Sequence, residues 1–215
     1  MASDEEEAGQ RAGKLGFVAH EVRNPLSTAL WTAELLSRMS AADRGGARGE
    51  KMADMMLRAL GRVRQLVEDH FLTERLDVGG IPNRPEPLAV GPALEAAAGR
   101  RAADLGAVSF EAAEGLAVLV DKVLLDRLLD LLVAGAAGEG TATTVTARRD
   151  GPVVRVRFCG RPVAAEVLAD PVKGSPSDMK GRALSLPLAR RVAVALGGEL
   201  RVVEGALEVA LPVAV

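Results

Sequence analysis

Residues 15–36, which read LGFVAHEVRNPLSTALWTAELL, decide the fold of the first third of the chain. Apolar residues recur in this stretch at alternating spacings of three and four: Leu15, Ala19, Val22, Leu26, Ala29, Ala33 and Leu36. Such a heptad seam predicts a helix that packs in a coiled coil or a bundle. A second seam follows after a break, at Met52, Met56, Ala59, Val63, Leu66 and His70.

The break lies at residues 40–49, which are rich in Gly, Ala and Asp, with Gly45-Gly46 as the expected turn. Two seamed helices joined by a short loop predict an antiparallel hairpin. One hairpin cannot bury its own apolar stripe. Pairing with a second copy into a dimeric four-helix bundle is the simplest remedy, so we expect a homodimer.

The rest of the chain predicts a second domain of mixed structure. Residues 79–87, GGIPNRPEP, interrupt every regular pattern, so we expect a hairpin at 1–78, a linker at 79–87 and another domain at 88–215. Its patterns predict helices at 92–104, 122–137 and 183–196, and strands at 108–111, 116–120, 143–149, 153–158, 200–203 and 207–211. Helices interleaved with antiparallel strands predict an α+β fold, an α/β sandwich.

Composition excludes several classes of protein. Lys+Arg 27 against Asp+Glu 29 in 215 residues gives a formal charge of -2, which argues against a nucleic-acid partner. No apolar run approaches the roughly 20 residues of a membrane span. The single cysteine, Cys159, fits a reducing compartment, and the acidic N-terminus does not resemble a signal peptide. We therefore expect a cytoplasmic protein without a membrane segment.

His20 is the main candidate for chemistry. Because a helix advances about 100° per residue, Asn24, Ser27 and Trp31 fall on the same stripe as His20. This stripe lies beside the apolar seam, so the imidazole should be exposed. A histidine can accept a phosphoryl group through Nε2 when a neighbouring carboxylate holds its other nitrogen as N–H, and Glu21 is the candidate carboxylate. An isolated His-Glu pair is ordinary solvated surface, so the surrounding residues must decide.

Those residues suit a phosphate-handling site. Arg23 adds positive charge, Asn24 can donate to a phosphoryl oxygen or orient a water, and Pro25 removes a backbone donor and should loosen the helix. The only tryptophan, Trp31, lies on the exposed stripe, where Trp often anchors a partner. The sequence leaves a docking role and an ordinary exposed side chain equally open.

Residues 20–26, HEVRNPL, resemble the H-box of bacterial sensor histidine kinases, whose pattern is His-Glu-x-Arg-x-Pro-Leu. The hairpin around them resembles the dimerisation and histidine-phosphotransfer domain of that family. The second half of the chain resembles its catalytic ATP-binding domain, so the resemblance covers nearly the whole chain. It implies that His20 is the phosphorylated residue.

The three motifs that bind Mg-ATP in that family depart from its pattern here. They have the forms Asn-Leu-Leu-x-Asn-Ala-x-Lys, Asp-x-Gly-x-Gly and Gly-x-Gly-Leu-Gly-Leu, and they align with residues 130–137, 158–162 and 181–186. Metal-binding, cationic, base-reading and glycine positions are replaced by Ala134, Ala137, Phe158, Pro162, Ala183 and Ser185. ATP binding is therefore not expected. Lys173, Lys180 and Arg182 could bind another anion, but we expect them to lie in a solvated loop.

A histidine kinase-like chain without ATP resembles the histidine phosphotransferases of phosphorelays. The resemblance implies that His20 shuttles a phosphoryl group between aspartates on receiver domains of response regulators or hybrid kinases. His20, Glu21, Arg23 and Asn24 would carry the chemistry, and the receiver would contact Ser27, Leu30 and Trp31. Mg²⁺ would belong to the receiver, so the chain would need no metal or cofactor of its own.

Other functions stay open on the sequence. One is a phosphatase or a non-catalytic regulator of a response regulator, because Asn24 follows His20 by one helical turn, where an amide can align water. Another is a kinase with unusual nucleotide contacts. The last is a pure interaction module that needs no chemistry at His20.

Overall fold

The computed structural model describes residues 2–101, 108–138, 141–168 and 182–214, without the side chains of residues 2–12, 14, 101 and 183. The chain forms two compact units, Met1–Glu74 and Arg75–Val215. Each unit has its own set of buried side chains. A helical first part followed by a mixed α/β part confirms the predicted fold class.

The first unit is built from two long helices joined by a short one. Helix α1 (Ala2–Arg38) is followed by α2 (Ala41–Arg44), and α3 begins at Ala47 and ends at Asp77. The side chain of Ser40 caps α2 by accepting a hydrogen bond from the amide of Asp43 at 3.1 Å. Gly45 ends that helix, so the predicted turn at Gly45-Gly46 is confirmed.

The interior of the hairpin is small and partly polar. Its buried side chains belong to Ala29, Thr32, Ala59, Leu66, Asp69 and Thr73. The hydroxyl of Thr32 donates to the carbonyl of Thr28 at 2.7 Å, and that of Thr73 donates to the carbonyl of Asp69 at 2.8 Å. These bonds satisfy buried hydroxyls within their own helices, so they require no cross-helix partner.

The predicted seams are only partly buried within one chain. On α3, Ala59 and Leu66 are buried, whereas Met56, Val63 and His70 are half-buried. The buried Nδ1 of His70 has no hydrogen-bond partner among the described residues of this chain. The seam therefore extends beyond what one hairpin covers.

The second unit contains seven strands and three α-helices within the described ranges. Its elements in chain order are β1 (Glu86–Ala89), α4 (Val90–Arg101), β2 (Val108–Ala112), β3 (Ala117–Val120), α5 (Lys122–Ala136), β4 (Thr143–Asp150), β5 (Val153–Cys159), a 3₁₀ helix (Ala165–Leu168), α6 (Arg182–Ala195), β6 (Glu199–Val203) and β7 (Ala206–Pro212). Five strands form one sheet in the order β2-β4-β5-β7-β6, while β1 and β3 form a separate antiparallel pair.

Alternation along the strands places the core on one face of the five-stranded sheet. Val156 lies between Ala147 and Val209 in the register, and all three are buried. The neighbouring position on the other face holds Arg157, opposite Glu208. Period-two alternation of this kind is typical of a sheet with one covered face. Helices α5 and α6, which pack on each other, supply further buried leucines.

Three sequence-based expectations need correction. Strand β1 was not predicted, and it begins at Glu86 within residues 79–87, where Pro85 and Pro87 hid the pattern. Strand β2 pairs with β4 in parallel, whereas only antiparallel pairs were expected. Helix α4 begins two residues earlier than predicted, at Val90, and residues 102–104 of the predicted helix lie outside the described residues.

Along the described part of the chain, none of the helices has both the length and the apolarity to cross a membrane.

Candidate functional site

Helix α1 carries the candidate phosphate acceptor on its surface. The helix is continuous through residues 15–36, so His20, Asn24, Ser27 and Trp31 do share one stripe, and all four are exposed. The side chain of His20 is 64% exposed, and its Nδ1 lies 3.9 Å from Oε1 of Glu21. This arrangement sets a carboxylate beside one ring nitrogen while most of the imidazole faces solvent.

Pro25 lies inside α1, one turn beyond the histidine. It has no N–H, so the helical hydrogen bond to the carbonyl of Glu21 cannot form. In the next turn, the hydroxyl of Thr28 donates to the carbonyl of Asn24 at 3.2 Å, a contact that often bends a helix. The backbone beside His20 thus lacks one regular helical hydrogen bond.

A small exposed surface continues along the helix from His20. Leu30 is 59% exposed and Trp31 is 55% exposed, and Ser27 lies one turn before them. Arg23 and Asn24 are exposed at the other end of the same surface. The structure therefore brings all seven predicted site residues onto one stretch of α1, with Glu21 half-buried at its edge.

The second unit brings together three segments that align with the nucleotide-binding motifs. Helix α5 ends at Ala136, and its last residues face the loop that follows β5. The amide of Arg161 donates to the carbonyl of Ala136 at 2.8 Å, and any Cβ at Gly160 would collide with that carbonyl. Phe158, at the position of the base-reading aspartate, is fully buried in the core.

Arg182, the first residue of α6, joins these segments. Its guanidinium donates to the carbonyl of Pro162 at 3.3 Å and to that of Ala137 at 3.4 Å. Arg182 is only 5% exposed, so the expectation of a solvated loop was wrong for this residue. Lys173, Lys180 and Gly181 lie outside the described residues, as does the side chain of Ala183. Because the acceptors of Arg182 are main-chain carbonyls distant in sequence, no side-chain pattern signals its burial.

Asp121 caps the helix that carries the first of these motifs. Its carboxylate accepts hydrogen bonds from the amide of Leu124 at 3.1 Å and from the amide of Arg84 at 3.1 Å. Burial raises the pKa of this carboxyl, but the backbone hydrogen bonds and the charge of Arg84 outweigh burial and lower the pKa below its usual value. The cap thus ties α5 to the chain segment before β1.

Comparison with known families identifies the hairpin. Residues 15–79 match the His Kinase A (phospho-acceptor) domain. The matched range contains His20 and every other residue of the candidate site. Over these residues the hairpin is similar to the phospho-acceptor domain of histidine kinases. Its exposed imidazole on α1 lies within the domain that is named for accepting phosphate.

Solved structures of histidine kinases share the fold of this chain. Histidine kinase AdeS of Acinetobacter baumannii superposes with a TM-score of 0.65 at 14% identity, covering 90% of this chain and 97% of AdeS. Histidine kinase ThkA, solved in complex with response regulator protein TrrA, gives a TM-score of 0.62 at 17% identity, covering 99% of this chain and 66% of that one.

A third match is a longer protein. Full-length ShkA, solved in complex with AMPPNP, gives a TM-score of 0.60 at 22% identity over 94% of this chain. The chain spans 46% of the length of ShkA. Identities this low establish a shared fold and leave the activity of this chain to its own residues.

Proposed function

We propose that this chain is a histidine phosphotransferase of a bacterial phosphorelay, acting in the cytoplasm without ATP. The observation that carries the proposal is the exposed imidazole of His20, with a carboxylate 3.9 Å from its Nδ1, inside a phospho-acceptor domain. The degenerate nucleotide motifs support a phosphoryl donor on another protein. That donor is an aspartyl phosphate on a receiver domain, and the acceptor is an aspartate on a second receiver.

The proposed reaction is an in-line displacement at phosphorus. The lone pair of Nε2 of His20 attacks, the N–P bond forms, and the P–O bond to the donor aspartate breaks to release its carboxylate. Glu21 stabilises the proton on Nδ1, which keeps the lone pair on the attacking nitrogen. The return step reverses these changes with a new aspartate, so the chain is regenerated. Positioning supplies most of the rate in such transfers.

Neighbouring residues supply charge and contact. Arg23 and Asn24 stabilise oxygens of the transferred phosphoryl group, because both are exposed on the surface that surrounds His20. The receiver docks on Ser27, Leu30 and Trp31, where two large apolar side chains are exposed together. Mg²⁺ enters with the receiver, and the resemblance to the complex of ThkA with TrrA supports a response regulator as partner.

The nucleotide motifs do not fit Mg-ATP. Ala134 and Ala137 offer neither a metal ligand nor a cation, and Phe158 is turned into the core where a carboxylate would read adenine. The guanidinium of Arg182 is engaged by carbonyls of two motif segments. In this proposal the chain therefore depends on a phosphorylated partner.

The hairpin also supports the proposal of a homodimer. Large apolar side chains on α3 remain exposed along one face: Leu57, Leu60, Val67 and Phe71. They adjoin the half-buried seam residues, so a second hairpin could cover seam and stripe together. This exposed stripe was not recognised from the sequence, although its spacing of three, seven and four residues was readable.

Phosphotransfer profiling tests the proposed function. The full chain is mixed with individual phosphorylated receivers from the same cell, and labelled phosphate is followed on both proteins. We expect label on the wild-type chain and then on a second receiver, and no label on His20→Gln. Glu68→Gln, an exposed substitution on α3, is the matched control. Transfer that persists in His20→Gln, or the absence of transfer from every receiver, would contradict the proposal.

A phosphatase is the second candidate, and the exposed amide of Asn24 one turn from His20 favours it. An amide-driven phosphatase would release inorganic phosphate from a receiver without forming phosphohistidine. The His20→Ala variant would then retain release, whereas Asn24→Ala would lose it. Under the phosphotransfer proposal, His20→Ala abolishes movement of phosphate between receivers.

A further inference from the structure

The second unit contains a buried cation that neither the fold comparison nor the proposed transfer chemistry explains. Arg182 is the first residue of α6, and its guanidinium lies almost wholly out of solvent. A buried arginine is costly unless hydrogen bonds compensate for its lost hydration. The carbonyls of Ala137 and Pro162 accept such bonds at 3.4 and 3.3 Å.

The positions of these two carbonyls show which segments of the domain Arg182 connects. Ala137 follows the last residue of α5 and stands where the first nucleotide motif has its lysine. Pro162 lies in the loop after β5, at the last position of the second motif. Arg182 belongs to the third motif. One guanidinium thus connects all three segments, where kinases of this fold have phosphate contacts.

The local electrostatics favour a cation at this point. The end of α5 presents carbonyl oxygens without helical donors, which give a helix C-terminus its partial negative charge. The amide of Arg161 satisfies the carbonyl of Ala136, and Arg182 satisfies the next one. Removing the guanidinium would leave the carbonyls of Ala137 and Pro162 without this donor, which costs stability when such groups are buried. The junction is closely packed, since a Cβ at Gly160 would collide with the carbonyl of Ala136.

We propose that Arg182 is a built-in tie that closes the nucleotide-binding region and replaces a bound nucleotide as the link between its three segments. Because Arg182 is only 5% exposed, a nucleotide phosphate could reach its guanidinium only if the junction around it opened. The domain thereby keeps its kinase-like shape without ligand. Like the proposed function, this inference requires that the chain does not bind ATP. It does not depend on phosphotransfer at His20.

Chemical modification tests the tie in the native full-length protein. Phenylglyoxal reacts with accessible guanidinium groups, and peptide mass mapping gives the rate at each arginine. Arg190, exposed on the same helix, is the internal reference. We expect Arg182 to react at least about tenfold more slowly than Arg190, with the same rate in the presence of millimolar Mg-ATP. Equal rates at the two arginines, or a change at Arg182 on adding Mg-ATP, would overturn the proposal.

A pair of variants tests the structural contribution. Arg182→Met keeps an unbranched apolar stem and removes the guanidinium with its charge, and Arg148→Met, at an exposed arginine on β4, is the control. Cys159, the only cysteine, ends β5 and is half-buried, so its reaction with a thiol reagent reports unfolding of this unit in urea. We expect the midpoint to fall clearly for Arg182→Met and to stay at the wild-type value for Arg148→Met. Indistinguishable midpoints for the two variants would refute the tie, whatever receiver profiling shows for His20.

Discussion

Replacing Pro25 by alanine should stabilise helix α1 beside the candidate site. Pro25 lies within the helix, so the carbonyl of Glu21 has no i+4 amide donor. Alanine restores that donor and has a helix propensity about 3 kcal/mol more favourable than proline in a helix interior. The bond from the hydroxyl of Thr28 to the carbonyl of Asn24 is available to both proteins and cancels, whereas tertiary packing of α1 reduces the propensity difference. We therefore expect a gain of about 2 kcal/mol in local stability.

Amide hydrogen exchange measures this gain directly, because exchange from a helix requires local opening. A gain of about 2 kcal/mol corresponds to roughly 30-fold slower exchange in peptides that cover residues 17–31. Ser37→Ala, an exposed substitution near the end of the same helix, is the control and should slow exchange by about twofold. The reasoning fails if Pro25→Ala slows exchange no more than Ser37→Ala does, or accelerates it.

Two further predictions concern stability and assembly. Asp121→Ala should cost about 1–2 kcal/mol, because the carboxylate caps α5 and accepts the amides of Leu124 and Arg84. Since folding lowers the pKa of Asp121, its stabilisation is complete above the usual value of 3.8 and is lost as pH falls through the folded pKa. Urea titrations of both proteins should therefore converge in strong acid; a constant difference there would contradict this account. Phe71→Glu, in the exposed stripe of α3, should yield monomers by light scattering, whereas Arg58→Glu outside the stripe should stay dimeric. A dimer that survives Phe71→Glu would place the interface elsewhere.

Much of the fold was predictable because it depends on local pattern. The seams of α1 and α3, the turn at Gly45-Gly46 and the hairpin around Gly151 all follow from spacing and turn chemistry. Strand β1 was missed because four residues that include Pro87 show no alternation. Its partner β3 supplies the register, and the paired residues lie 28 to 34 positions further along the chain, from Ala89↔Ala117 to Glu86↔Val120.

The same distinction between local pattern and long-range contact applies to the candidate site. The exposure of His20 and Trp31 follows from their offset to the seam on one helix. The burial of Arg182 does not follow from its neighbours in sequence, because its carbonyl partners come from the end of α5 and from the loop after β5. Local pattern therefore predicted the residues of the acceptor stripe, whereas only tertiary contacts revealed how the nucleotide-binding region is closed.

The source of the phosphoryl group on His20 is the most direct test of the central claim. The purified full-length chain is incubated either with labelled Mg-ATP alone or with a labelled phosphorylated receiver, and phosphohistidine is quantified by peptide mass mapping. We predict phosphate on His20 only with the receiver, approaching one group per chain when the donor is in excess. Autophosphorylation of His20 from Mg-ATP would contradict the account and would make the chain a histidine kinase with unusual nucleotide contacts.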